Sequence, residues 1–363
     1  MGKSGCGKTS MRSLIFSSYK ASDTRRLGST LDVEHSHVRF LGNLVLNLWD
    51  CGGQQSYMDS YLDSQRQQVF SAVGVLIYVF DLTGEESEWG KDVRYFKDCL
   101  SALQSNSPEA GVFCLLHKMD LVDASRRKSV YASRVAELKK KSEGRPVTFF
   151  PTSIWDETLY RAWSLIVHAL IPNIATLERH LAQFARICSA AEVVLFEKST
   201  FLVISRSTQQ PDVDSNIETP GSNGADADAS ATSMCSKAGN EAAELGASHP
   251  SASTSSIGSS STSELHGAAV STQKGRKLSP ERFEKISELI KNLKSSCAKL
   301  QAQFQGLEIR GATYTAYLDL LTTNTYVMVI VADPRIQLAA IKLNVELGRE
   351  HFEKQQAIST GSA

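Results

Sequence analysis

The sequence has no apolar run long enough to cross a membrane and no excess of either charge. Its longest apolar stretches, at residues 74–80 and 326–332, reach about a third of the roughly 20 residues that a membrane helix needs. Its 39 basic and 39 acidic residues cancel to a formal net charge of +0, so no overall field attracts DNA or an anionic membrane. We therefore expect neither nucleic acid as the main partner nor direct insertion into a membrane.

Cysteine pairs and, in one long segment, aromatic residues are also missing. The seven cysteines are scattered, odd in number and never form C-x-x-C, a set typical of reduced thiols inside the cell. Residues 207–270 contain no Phe, Trp or Tyr and are dominated by Ser, Ala, Thr and Gly. Such a segment cannot bury enough apolar surface to offset the entropy lost on ordering. We therefore predict a disordered insert over residues 207–278, acting as a tolerated spacer rather than as a phosphorylated tether.

Apolar periodicity on both sides of this insert predicts two domains. Residues 1–172 alternate short apolar runs with helical stretches, the pattern of a doubly wound, mostly parallel α/β sheet. Residues 173–206 and 279–363 predict an α+β domain in the order helix, two strands, insert, helix, three strands, helix. The predicted strands are 38–40, 44–49, 73–80, 111–116, 147–150, 192–196, 201–205, 304–309, 313–320 and 326–332.

A glycine-rich segment at residues 2–9 carries the most specific motif in the chain. It reads GKSGCGKT and fits G-x-x-x-x-G-K-[ST], whose glycines let backbone N–H groups curl around phosphates at a helix N-terminus. Lys8 is expected to reach the β and γ phosphates, and the Thr9 hydroxyl to ligate Mg²⁺. The alternative, a plain glycine-rich tail, is disfavoured by the motifs that follow. We assign phosphate binding to Gly2, Ser4, Gly5, Cys6, Gly7, Lys8, Thr9 and Ser10.

A second motif, DCGGQ at residues 50–54, follows a predicted strand. The carboxylate of Asp50 can hold the metal through water, and the N–H of Gly53 can meet the γ-phosphate. Gln54 is suited to orient the attacking water, so we assign catalysis to Gln54 together with Lys8 and Thr30. The pattern D-x-x-G is common by itself. Its position after a strand, about 40 residues beyond the phosphate loop, makes it informative.

A third motif, HKMD, places His117, Lys118 and Asp120 directly after another predicted strand. It resembles [NT]-K-x-D, in which the Asp accepts hydrogen bonds from the N1–H and 2-amino groups of guanine, a donor pair that adenine lacks. Ser153 and Ile154 follow the next strand and are assigned a backbone contact to the guanine O6 atom. Surface K-x-D sequences and plain loops are frequent, so the order and spacing of the motifs support this assignment.

One threonine between the first two motifs is the best candidate for a switch residue. Thr30 lies in the loop LGSTLD at residues 27–32, where it could bind Mg²⁺ when the γ-phosphate is present. Ordering of the loop by that phosphate would be the switch itself. The alternative is an ordinary solvated threonine. The predicted metal ligands are Thr9, Thr30 and Asp50.

Together these segments resemble Rag GTPases of the A/B type. The likeness lies in LGSTLDVEHSHVRF at 27–40, WDCGGQ at 49–54, SAVGVLIYVFD at 71–81, HKMD at 117–120 and NTYVMV at 324–329. It covers nearly the whole chain outside the predicted insert. The resemblance implies a Ras-like P-loop GTPase domain followed by a roadblock-type dimerisation domain, with GTP or GDP and Mg²⁺ as ligands.

The resemblance also implies the partners and the location of the protein. It implies a heterodimer with a C/D-type Rag GTPase, a Ragulator- or EGO-type scaffold, GTPase-activating proteins, and recruitment of the TOR complex when amino acids suffice. The implied locations are the cytoplasmic face of the vacuolar or lysosomal membrane, reached through the scaffold, then the cytoplasm and the nucleus. The alternative is a non-hydrolysing scaffold subunit that acts through its roadblock domain alone.

The sequence departs from this family at its first residues. The family carries an apolar strand directly before the phosphate loop, whereas this sequence begins at the loop. That strand lies in the middle of a Ras-like sheet, so its absence would expose unpaired backbone groups on both neighbours. We expect the first strand to be missing, either because the sequence is short at its N-terminus, which we favour, or because the protein is impaired.

Overall fold

The computed structural model describes residues 1–17, 19–41, 44–208 and 282–361. Its helices are α1 (Lys8–Phe16), α2 (Gln55–Leu62), α3 (Arg66–Phe70), α4 (Glu86–Asn106), α5 (Arg127–Lys141), α6 (Thr158–His168), α7 (Ile174–Ile187), α8 (Arg282–Lys299) and α9 (Leu338–Gly361). Its strands are β1 (Val33–Arg39), β2 (Val45–Cys51), β3 (Val75–Asp81), β4 (Gly111–His117), β5 (Thr148–Thr152), β6 (Glu192–Glu197), β7 (Val203–Thr208), β8 (Gly306–Arg310), β9 (Thr315–Thr322) and β10 (Thr325–Val331). Within this part of the chain, no helix is both long and apolar enough to cross a membrane.

Three parallel strands form the main sheet of the N-terminal part. β4 lies between β3 and β5 and pairs with both, which confirms the predicted parallel sheet. All but the first residue of β4 are buried, because helices cover both faces of such a sheet and leave a continuous apolar run in the sequence. His117 and Thr152 end β4 and β5, and the loops that follow carry residues 118–120 and 153–154, at the sheet edge where α/β folds bind ligands.

β1 and β2 form a separate antiparallel pair. β1 begins at Val33, so the strand predicted at 38–40 covers only its last part and runs one residue past its end. The early part was missed because β1 exposes most of its side chains and therefore lacks an apolar alternation. Its backbone still pairs with β2 along the whole strand, and this ladder defines the element.

A cavity of about 660 Å³ separates β2 from β3, and these two strands belong to different sheets. Met1 lines the cavity, donating from its amino group to the Ile77 carbonyl at 2.7 Å and accepting from the Val79 N–H at 3.0 Å. The expectation that a strand is missing before the phosphate loop stays a prediction. Apolar residues that line the cavity include Leu46, Leu48, Val75, Trp163 and Ile166.

Five antiparallel strands form the sheet of the C-terminal part, in the order β7-β6-β10-β9-β8. The predicted order of helix, two strands, helix, three strands and helix is confirmed by α7, β6, β7, α8, β8, β9, β10 and α9. Ser207 and Thr208, which the predicted insert included, instead belong to β7, where they pair with Val193 and Glu192. The predicted insert therefore began two residues early. Its remaining part, residues 209–278, lies outside the described residues.

A continuous apolar core runs through the N- and C-terminal parts. Phe16 of α1 packs edge-on against Trp163 of α6, with ring centroids 5.0 Å apart. The N–H of Val203, at the start of β7, donates to the Ser164 hydroxyl over 3.1 Å. Both contacts place α6 between the phosphate-loop helix and the C-terminal sheet. The domain boundary at residue 172 stays a prediction.

Candidate functional site

The glycine-rich segment at residues 2–7 forms a tight loop that leads into α1. Gly2, Gly5 and Gly7 have φ angles of 129°, 76° and 97°, in the region that favours glycine. A Cβ atom added at Gly2 would lie 2.3 Å from the Val79 carbonyl oxygen. Glycine is therefore required where the loop passes against β3.

Lys8, the first residue of α1, is held inside this loop. Its ammonium donates to the carbonyl oxygens of Gly2 at 2.6 Å and Lys3 at 2.9 Å, and it contacts the Cys6 sulfur at 3.6 Å. Burial raises the pKa of the Cys6 thiol, so this side chain is a neutral residue that fills the loop. Ser10 follows within α1.

The predicted metal ligands Thr9 and Thr30 meet directly. Their hydroxyl oxygens lie 2.6 Å apart, and Thr30 is buried. The carboxyl group of Asp50 is also buried, and its Oδ2 atom lies 3.2 Å from the Arg12 Nε atom. These two atoms form an ion pair that lacks hydrogen-bond geometry. Two hydroxyls and a carboxylate are hard oxygen donors, which is the donor type that Mg²⁺ prefers, so these residues fit that metal.

Arg12 is a site residue that the sequence analysis missed. In addition to Asp50, it contacts the Glu34 carboxylate at 2.5 Å and the Ser36 hydroxyl at 2.8 Å. It thereby ties α1 to both β1 and the end of β2. The available signal was its position four residues after Lys8, which places both side chains on one face of a helix.

The motif at 50–54 packs against the phosphate loop. The N–H of Ser4 donates to the Gly53 carbonyl over 2.8 Å, and a Cβ atom at Gly53 would lie 2.4 Å from the Ser4 nitrogen. Gln54 follows and precedes the first turn of α2. Its Oε1 atom is buried and has no hydrogen-bond partner within the described residues.

Lys118 and Asp120 are fixed by two polar contacts. Lys118, with φ 64°, forms an ion pair with Asp81 over 2.7 Å, and the Ser153 hydroxyl donates to Asp120 over 2.7 Å. Burial alone would raise the pKa of Asp81, but hydrogen bonds from Lys118 and Thr83 outweigh it and lower the pKa. Asp81 was missed in the sequence. Its signal is the position at the carboxyl end of β3, the same sheet edge as Lys118.

His117 links the third motif to the phosphate loop. Its ring is buried, and its Nδ1 atom lies 3.0 Å from the Thr152 hydroxyl. A Cβ atom at Gly7 would lie 2.9 Å from the ring, so the imidazole packs on the loop backbone. Burial, assisted by the charge of Lys118, lowers the pKa of His117 to about 4. The ring is therefore neutral at physiological pH.

Ser153 and Ile154 follow β5, and their predicted guanine contact stays a prediction. The N–H of Ser153 donates to the Thr158 hydroxyl over 3.0 Å, so this donor is engaged within the chain. The Ser153 hydroxyl also accepts from the Trp155 N–H at 3.0 Å. Ile154 packs against the core. The established contact of this loop is thus the Ser153 hydroxyl on Asp120.

Comparison with known proteins identifies the family. The family model described as "Gtr1/RagA G protein conserved region" matches residues 1–237. The chain belongs to this Gtr1/RagA family of G proteins. The resemblance to A/B-type Rag GTPases seen in the sequence is thereby confirmed.

Two of the similar proteins match over nearly the whole chain, and a third matches over part of it. Ras-related GTP-binding protein A of Dictyostelium discoideum is 44% identical over 98% of this chain and 95% of its own length. GTP-binding protein gtr1 of Schizosaccharomyces pombe is 44% identical over 99% of this chain and 96% of its own length. A more distant relative, GTP-binding protein GTR2 of Saccharomyces cerevisiae, is 28% identical over 59% of this chain and 62% of its own length.

Proposed function

We propose that this chain is a guanine-nucleotide switch that binds GTP and GDP with Mg²⁺ and hydrolyses GTP slowly. The observation that carries the proposal is the contact between Thr9 and Thr30, whose hydroxyl oxygens lie 2.6 Å apart. This contact joins the first turn of α1 to the loop at 27–32. The same helix holds the buried carboxyl of Asp50 through Arg12.

The residues of the candidate site have separate roles in the proposed hydrolysis. Thr9, Thr30 and Asp50 would hold Mg²⁺, which supplies neutralisation of phosphate charge when bound. The ammonium of Lys8 lies among the loop carbonyls, where it can bind phosphate oxygens. The unpaired Oε1 atom of Gln54 can accept a hydrogen bond from the attacking water and so orient it. Because Thr30 lies in a loop, loss of the γ-phosphate would release that loop and change the surface offered to partners.

Base selection is assigned to the loops after β4 and β5. The Asp120 carboxylate would accept hydrogen bonds from the N1–H and 2-amino groups of guanine. The Ser153 hydroxyl, 2.7 Å from Asp120 Oδ1, holds that carboxylate in place. Lys118, paired with Asp81, stiffens the neighbouring position. Adenine lacks the donor pair, so this arrangement favours guanine.

Family membership supports the proposed partners. We propose that the C-terminal part is a roadblock-type domain that pairs with a C/D-type Rag GTPase, and the match to the GTR2 relative fits such a pair. The dimer would act with a Ragulator- or EGO-type scaffold at the vacuolar or lysosomal membrane and signal amino-acid sufficiency to the TOR complex. A non-hydrolysing scaffold role is the alternative.

Hydrolysis is tested by Gln54→Leu, with Gln55→Leu as the matched control because Gln55 is exposed at the next position. We expect Gln54→Leu to slow single-turnover hydrolysis by at least about tenfold, since leucine cannot orient water, and to leave GTP affinity unchanged. The control should match the parent chain in hydrolysis rate and in GTP affinity. Equal hydrolysis by both variants would remove Gln54 from catalysis.

Metal and nucleotide binding are tested by Thr9→Asn. We expect this change to weaken GTP binding in the presence of Mg²⁺ by about tenfold or more, because it removes a metal-binding hydroxyl. Fluorescent GTP and GDP titrations measure the affinities. If the parent chain held neither nucleotide at micromolar concentration and still paired with its partner, the scaffold role would replace the switch.

A further inference from the structure

The C-terminal helix α8 contacts the helix that carries the phosphate loop. The ammonium of Lys291 donates to the Leu14 carbonyl oxygen over 2.5 Å and also to the Ile15 carbonyl oxygen. Both acceptors lie in the last turn of α1, which ends at Phe16. A residue 277 positions away in the sequence therefore completes the end of the phosphate-loop helix.

These carbonyls have a physical need for such a partner. The last carbonyls of a helix lack intrahelical donors, and the helix dipole places partial negative charge at that end. α1 has no basic residue in its last turn, and both Leu14 and Ile15 are buried. Lys291 supplies both the donors and the positive charge from outside the helix.

The Lys291 ammonium is strongly constrained by its surroundings. Burial lowers the pKa of Lys291 to about 8, the charge of Glu197 raises it, and the charge of Lys294 lowers it. Glu197 comes from β6 and Lys294 from α8, while the last turn of α1 carries no charged side chain. A largely buried ammonium that lost its acceptors would be destabilised. The contact is therefore expected to resist sliding of α8 along α1.

α8 also contacts a second segment of the candidate site. Lys285 Nζ lies 3.0 Å from the Glu157 carboxylate, and Glu157 stands between the Ser153 loop and α6. α8 thus touches the outer ends of two nucleotide-site segments at once. Since α1 is a single helix of nine residues, a shift of its far end is transmitted to Lys8 and Thr9.

We infer that Lys291 is a positioning residue that ties the C-terminal part to the phosphate loop, so that nucleotide retention depends on how α8 is seated. The expected effect on nucleotide retention rests on the proposed function, whereas the expected effect on the stability of α1 does not.

The test compares Lys291→Met, Lys291→Arg and the control Lys299→Met in the full chain. Methionine keeps the aliphatic stem and loses the ammonium, arginine keeps a charged donor, and Lys299 is an exposed lysine at the end of the same helix. Hydrogen exchange of α1 amides without nucleotide is the first readout, and the release rate of fluorescent GDP is the second. A merely structural role would lower the melting temperature without a selective change in either readout.

We expect Lys291→Met to speed both α1 exchange and GDP release by about tenfold. Lys291→Arg should stay within about threefold of the parent chain, and Lys299→Met should not differ from it. Unchanged α1 exchange in a folded Lys291→Met variant would overturn the inference, even if nucleotide binding is normal. Absence of GDP binding by the parent chain would instead count against the proposed function, while the exchange result still decides the role of Lys291.

A pH comparison covers the case in which Lys291→Met does not fold. α1 exchange, corrected for its intrinsic pH dependence, should rise in the parent chain between about pH 7 and 9 as Lys291 loses its proton. It should stay flat in Lys291→Arg, because arginine remains protonated in this range. Identical pH profiles of the two chains would overturn the inference.

Discussion

The C-terminal sheet and the N-terminal strands differ in whether their central strands are hydrogen-bonded to a neighbouring strand on both sides. β10 lies between β6 and β9 and bonds to both, so the centre of the C-terminal sheet has no open edge. In the N-terminal part, β2 and β3 belong to different sheets and face a cavity of about 660 Å³. Lys8 and Asp50 of the candidate site line this cavity, and Met1 pairs with the edge of β3 that faces it.

This difference predicts that substitutions in the two regions have different costs. A fully paired sheet loses much of its core when one central residue changes, because the ladder and the packing fail together. In the N-terminal part, contacts of loops and helices, such as Thr9 with Thr30 and Lys291 with α1, add to the pairing of the strands. Three changes test this comparison, and they are ordered by the size of the expected effect.

The largest effect is expected from a charge placed in the paired sheet. Val329 is fully buried in β10, opposite Val193 and Tyr317. Val329→Asp should destabilise the fold by about 4 kcal/mol or more, because it buries an unpaired carboxylate. Val45→Asp is the matched change on β2, where the side chain is 43% exposed, and should cost less than about 1 kcal/mol. Urea unfolding followed by circular dichroism measures both, and equal losses would contradict the comparison.

An intermediate effect is expected from a segment that fills the cavity. Five Val and Ile residues placed before Met1 could extend its pairing with β3 and bury side chains against β2. We expect the melting temperature to rise by roughly 5 °C or more, since about 1 kcal/mol corresponds to a few degrees at this size. A five-residue Gly-Ser extension is the control. If both extensions melted at the same temperature, the cavity would not be a strand-binding slot.

The smallest effect is expected from a buried carboxyl group beside β3. The Tyr78 hydroxyl donates to Asp92 over 2.7 Å, and burial raises the pKa of Asp92 to about 6. The folded-state pKa of Asp92 exceeds its unfolded value of about 3.9. Protonated Asp92 therefore stabilises the fold below about pH 3.9, and this contribution is lost as the pH rises through about 6. Asp92→Asn keeps the acceptor oxygen and should therefore raise the free energy of unfolding by about 1 kcal/mol relative to the parent chain at pH 7.5.

The control for this change is Asp98→Asn, at an exposed position on the same helix. Unfolding at pH 4.5 and pH 7.5 measures the pH dependence. The increase in the free energy of unfolding caused by Asp92→Asn should be smaller at the lower pH, whereas the effect of Asp98→Asn should not depend on pH. A gain that is equal at both pH values would mean that the carboxyl does not titrate as described.

Particular elements explain how much of the fold could be predicted. β10 was predicted to within one residue at each end, because a strand buried on both faces is a continuous apolar run. The first residues of β1 were missed because that strand is polar and exposed. The roles of Arg12 and Asp81 were also missed, since an ion pair between distant residues leaves no periodic trace in the sequence.

Sequence alone specified the parallel sheet of the N-terminal part and the order of helices and strands in the C-terminal part, because local backbone preferences and apolar periodicity are encoded over a few residues. The order of the motifs, by resemblance, indicated the family. The tertiary structure alone decided which polar groups meet. Thr9 contacts Thr30, which is 21 residues away in the sequence, and Lys291 contacts the end of α1, 277 residues away. The physical reason is that burying a donor or acceptor without a partner costs free energy, and the available partner depends on which elements pack together.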